Sequence, residues 1–162
     1  MVTIDRLLFA LTLFAALGCG LVAGVFFAFS AFVMKALARL PPGEGIAAMQ
    51  SINVAVLNPW FLGAFFGTAA ACVLALISSL LRWHEPGTVY LLVGSVLYLM
   101  GSLLVTIVFN VPRNESLASL TPADPNGPRL WTGYVASWTA WNHVRTAASL
   151  AAAASFSVAL GY

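Results

Sequence analysis

The chain has 162 residues, 61% of them hydrophobic and only 7% charged, against about 25% charged in a typical soluble domain. A small water-soluble globule needs more polar residues than that to cover its surface, so the apolar surface must meet lipid or a large partner. A net charge of +2, with no Lys/Arg-rich cluster to track a phosphate backbone, excludes a nucleic-acid partner.

Charged residues divide the sequence into one domain of four apolar stretches, which predicts an all-α, integral membrane four-helix bundle over 1–162. Leu7 to Met34 is a run of 28 residues without Asp, Glu, Lys or Arg. It exceeds both the roughly 20 needed to span and the apolar core of a signal peptide, so it reads as a retained helix, 7–34. Ala16, Gly20, Gly24 and Ala28 recur along it as a small-residue stripe that lets another backbone approach. Cys19 and Cys72 lie inside apolar stretches and read as small buried residues.

Pro41-Pro42-Gly43 breaks the chain, and Glu44 to Val54 follows as a short surface helix with Ile46, Met49 and Ile52 on one face. Gln50 and Asn53 on that helix are placed to rim a pocket. Asn58-Pro59 opens the second spanning helix, 58–81. The third covers 88–109 and ends at Asn110-Val-Pro-Arg-Asn114. A polar loop with Pro122, Pro125, Gly127 and Pro128 leads to the fourth, 130–160. Lys35, Arg39, Arg113 and Arg129 on the two larger loops outnumber Arg6 and Arg82 on the other side, which favours cytoplasmic loops.

The fourth helix carries the chemistry. Trp131, Trp138, Asn142, Arg145 and Ser149 share a face by helical spacing, while His143 is rotated about 100° from Asn142. An ionisable residue at membrane depth should face a bundle interior or cavity. No Asp or Glu lies in any predicted span, so Arg145 needs Asn side chains, carbonyls, Glu44 or Glu115 from the loops, or an anionic ligand. In one reading Arg145 anchors that anion and His143 moves a proton. In the other, Trp131, Tyr134, Trp138 and Trp141 form an aromatic belt at the membrane surface and Arg145 snorkels. Asn58, Asn110 and Asn114 fall at the same end of the bundle, as caps or as site residues. His84 is predicted at the opposite end from His143, so no metal site is expected.

Five segments, Phe-Phe-Ala-Phe-Ser-Ala-Phe-Val-Met (26–34), Ala-Met-Gln-Ser-Ile-Asn (48–53), Asn-Pro-Trp-Phe (58–61), Asn-Val-Pro-Arg-Asn (110–114) and Trp-Thr-Ala-Trp-Asn-His-Val-Arg-Thr (138–146), resemble a bacterial branch of a family of small membrane proteins. First defined as a domain of unknown function, that family includes the anthrone oxygenases. The resemblance implies a four-helix protein of the bacterial inner membrane and oxidation of a hydrophobic aromatic molecule by molecular oxygen, with no conventional redox cofactor. It also implies that the active region holds Asn110, Asn142, His143 and Arg145 as catalytic groups. Trp138, Trp141, Asn114 and Asn58 are expected to contact substrate. Two other classes stay open: a binding or transport protein for a hydrophobic anion, and a structural partner in the membrane, homo-oligomeric through the small-residue stripe.

Overall fold

The computed structural model describes residues 2–121 and 124–162; Pro122 of the polar loop lies outside them. Five helices and no strand are found among the described residues. Helix α1 is Val2–Ala28, carried on through a wider π stretch, Phe29–Val33, into Met34–Leu37. Helix α2 is Pro42–Ala55 and α3 is Pro59–Leu81. Helix α4 starts as Thr88–Tyr98, passes through π stretches at Leu99–Leu104 and Thr106–Asn110, and ends as Val111–Ala118. Helix α5 is Gly127–Ala159.

Each of α1, α3 and α4 is long and apolar enough to cross a bilayer. Helix α5, at 33 residues, is about 50 Å long; its length suffices, but the polar face that it turns inward lowers its hydropathy. The four long helices close a ring in the order α1, α3, α4, α5, each antiparallel to its neighbours. Outside, Leu17, Leu21 and Phe27 of α1 and Phe66, Leu74 and Leu80 of α3 are exposed. A surface of that character is stable against acyl chains and not against water. The chain is an integral membrane protein built as an all-α bundle.

The interior has two apolar storeys. Ala15, Cys19, Val22, Phe65, Cys72, Tyr98 and Phe156 form the lower one, with both cysteines free and buried as expected. The upper storey joins Met34, Leu37, Ile46, Met49, Leu117, Trp131 and Tyr134. It exists because α3 has only 23 residues while α1 and α4 have 33 and 31 described in their spanning segments. Where α3 is missing, α2 fills the gap, burying Ile46 and Met49 as its spacing predicted. Gln50 Nε2 then donates to the carbonyls of Leu117 and Leu120, 2.9 Å each, and caps the end of α4.

Several expectations need correction. The third spanning helix does not stop at 109: α4 runs through Pro112 to Ala118. Proline lacks an N–H and crowds the carbonyl one turn back, and the π stretch ending at Asn110 opens the backbone just where that carbonyl must be accommodated. Helix α1 extends beyond 7–34, and α5 begins at Gly127, three residues before the predicted start. The small-residue stripe on α1 packs in this bundle only at Ala16, which is buried, since a Cβ built on Gly20 or Gly24 meets nothing. The close approach is at Gly18, where a Cβ would collide with Thr68 of α3. The aromatic belt is also overturned, because Trp131, Tyr134 and Trp138 are buried between helices.

Candidate functional site

Between the two storeys lies a polar layer, set by the three helices that carry or face π stretches. Ser30 sits in the π stretch of α1; Thr106 and Asn110 bound the last one of α4; Asn142, Arg145 and Thr146 come from α5. Such local widenings of a helix are common at functional sites. About 21 Å of helix separates Arg145 from Ala159, and about 27 Å separates Thr106 from Thr88. The layer therefore lies in the far half of a hydrocarbon slab about 30 Å thick.

Arg145 is 4% exposed and Asn142 is fully buried. The Arg145 Nη2 donates to Asn142 Oδ1 at 2.7 Å, and Nη1 donates to Thr106 Oγ1 at 3.2 Å. Asn142 Nδ2 donates to the Phe26 carbonyl and to Ser30 Oγ, both at 2.7 Å. Because Thr146 Oγ1 gives its proton to the Asn142 carbonyl, Ser30 is the donor in the 3.2 Å contact with Thr146. The guanidinium lies 4.1 Å from the centroid of the Phe26 ring and 5.1 Å from that of Trp138. Two aromatic faces thus hold the cation where water is excluded.

Among the described residues, two buried groups of the layer lack a partner: Arg145 Nε and Asn110 Oδ1. Asn110 donates only through Nδ2, to the Trp138 carbonyl at 3.3 Å. Among the described residues no carboxylate meets Arg145; the ion pair found there, Arg82 with Asp5 at 3.0 Å, is at the other end of the bundle. Above the guanidinium, Trp138, Tyr134 and Trp131 form a ladder of rings with centroids 6.4 and 5.6 Å apart. Asn114 fixes two rungs, with its Oδ1 accepting from Trp138 Nε1 at 2.8 Å and from the Tyr134 hydroxyl at 3.0 Å. Helix α2 roofs the ladder: the Trp131 ring is so close to Gly45 that a Cβ there would come within 2.8 Å.

The structure brings together Asn110, Asn114, Trp138, Asn142 and Arg145. It does not bring the other three predicted site residues to them. His143 is exposed on the outer face of α5, as its 100° rotation from the buried face requires. Trp141 is stacked on Phe109 at 3.5 Å, on the flank of the α4–α5 pair. Asn58 caps α3, its Oδ1 accepting from the backbone N–H of Trp60 and Phe61 and its Nδ2 donating to the Ala55 carbonyl. Of Gln50 and Asn53, expected to rim a pocket, Gln50 caps α4 and the Asn53 amide is buried.

Sequence reasoning missed Phe26, Ser30, Thr106 and Thr146. Two signals were available: Ser30 is the polar residue in a Phe-rich stretch, and Thr106 lies one turn before Asn110 on the same face.

No curated protein and no solved structure matches the chain. The family model described as anthrone oxygenase matches residues 59–155, which takes in α3, α4 and the polar face of α5. With that match covering more than half of the sequence, the chain belongs to the anthrone oxygenase family.

Proposed function

We propose that the Arg145 cluster binds the anion of a planar, lipid-soluble aromatic ketone and that the protein oxidises it with molecular oxygen in the bacterial inner membrane. One observation carries the reading: a guanidinium buried at membrane depth with no carboxylate beside it among the described residues and with its Nε nitrogen left without a partner. A charge in that position calls for an anionic partner. An anthrone supplies one, because loss of a benzylic proton delocalises charge onto its carbonyl oxygen. Arg145 Nε faces the developing oxyanion, and Asn110 Oδ1 accepts a hydrogen bond from a ring hydroxyl. Donors fixed in place in a dry site stabilise the anion strongly.

The carbanion then reacts with oxygen. One oxygen atom becomes the new carbonyl, and the other leaves as water with the two benzylic hydrogens. His143 has no part at Arg145 in this scheme. Stabilisation by Arg145 makes the substrate more acidic, and the proton leaves from the benzylic carbon, on the side of the ring away from the dry guanidinium.

Membranes containing the protein are supplied with anthrone in air while oxygen uptake and quinone absorbance are followed. Arg145→Gln should lower kcat/KM about 10²–10³-fold, the usual cost of losing one oxyanion donor, while His143→Ala should stay near wild type. Full turnover by a folded Arg145→Gln variant would refute the anion site. Binding of anthrone without turnover would favour the second reading, a carrier for hydrophobic anions, which the same unpaired cation supports.

A further inference from the structure

Beyond the polar layer, a cavity of about 380 Å³ opens between the end of α4 and the start of α5. Arg113 and Arg129 line it together with the apolar Leu117, Leu120 and Leu130 and with Gly133. A Cβ built on Gly133 meets nothing within 4 Å, so the helix surface there is open. Among the described residues no carboxylate lines the cavity and neither arginine is in an ion pair. Arg113 is steadied by donating from Nη1 to the Phe109 carbonyl at 2.6 Å. Arg129 stands in the first turn of α5, where the helix dipole adds positive potential.

The depth of the cavity identifies what it meets. About 37 Å of helix lies between Arg113 and Thr88, and about 43 Å between Leu130 and Ala159. A bilayer is about 40–45 Å thick including headgroups, so the two cations stand at headgroup level with apolar side chains in the same lining. We propose that this cavity is a binding site for an anionic phospholipid. The phosphate sits between Arg113 and Arg129, and the first acyl methylenes lie on Leu117, Leu120 and Leu130. The proposal rests on the membrane reading and not on the oxygenase reading.

The test uses the intact protein in non-ionic detergent, titrated with phosphatidylglycerol or phosphatidylcholine of identical acyl chains. Bound lipid is counted by native mass spectrometry. A basic side chain near a charged surface favours an anionic lipid by roughly fivefold, so the pair should give about a thirtyfold preference for phosphatidylglycerol. Arg113→Gln with Arg129→Gln should abolish that preference, and Lys35→Gln with Arg39→Gln, on the same side but outside the cavity, should leave it. Gly133→Leu fills the cavity with both arginines intact and should also remove binding, which decides the matter if the double variant does not fold.

Equal binding of the two lipids by the wild type would overturn the proposal. So would an unchanged preference in the Arg113/Arg129 variant, or undiminished binding in folded Gly133→Leu. Displacement of the lipid by equimolar inorganic phosphate would make the ligand a free anion and overturn the lipid assignment.

Discussion

Asn142 is the residue on which the polar layer turns, and its removal can be costed. Its side chain makes three hydrogen bonds, to the Phe26 carbonyl, Ser30 and Arg145. Inside a bilayer a side-chain hydrogen bond averages about 0.6 kcal/mol, so three give about 2 kcal/mol. Asn142→Ala also leaves the Arg145 Nη2 buried without its acceptor, and an unsatisfied buried donor costs about 1–3 kcal/mol. We expect a loss of about 3–4 kcal/mol for Asn142→Ala, the lower end being set by the Thr106 contact that survives. Arg145→Met removes the charge itself and should cost less, about 1–2 kcal/mol. Once the charge is gone, the missing Asn142 matters less, so the double variant should fall about 2 kcal/mol short of the sum. Unfolding in mixed micelles of increasing dodecyl sulfate, followed by fluorescence of the five tryptophans, measures all four corners of the cycle. Additivity within about 0.5 kcal/mol would show that the two side chains do not act together, and the account of the site would fail with it.

Other outcomes follow from the same geometry. Asn58→Ala should lower stability by about 1 kcal/mol, the usual value of a helix N-cap, and leave turnover per folded molecule unchanged. Any larger effect on turnover would restore Asn58 to the site. At Gly101 a Cβ would collide with Ala148 of α5. Gly101→Leu should therefore shift the detergent midpoint down by the equivalent of about 1–3 kcal/mol or more, while Gly20→Leu, built into open space, should not.

The face of α5 was legible because helical spacing is geometry. Trp131, Trp138, Asn142, Arg145 and Ser149 fall on one side, and all five are buried. The same geometry sent His143 outward, although its place beside Asn142 in a dense polar motif drew attention to it. The stripe on α1 misled for a reason of phase. A four-residue repeat advances about 40° per step at 100° per residue, so a run that starts inward at Ala16 has turned outward by Gly24. Helix α4 was read short because proline usually stops a helix, and no sequence pattern announces a π stretch that accommodates it. Nor could one chain read in order reveal that Ser30 and Thr146, 116 positions apart, would meet across an interface.

The unequal lengths of the helices have a consequence for how such a protein can diversify. Arg145 and its direct partners come from α1, α4 and α5, whereas the covering over the aromatic ladder is α2, a separate piece held by Pro41 at one end and the Asn58 cap at the other. Floor and roof are encoded by different stretches of the gene. Changes confined to 42–55 would reshape the ceiling above Trp131 and Tyr134 while the charged floor kept its wiring. Exchanging that one segment between related chains is therefore a direct way to ask whether selectivity and chemistry can be inherited apart.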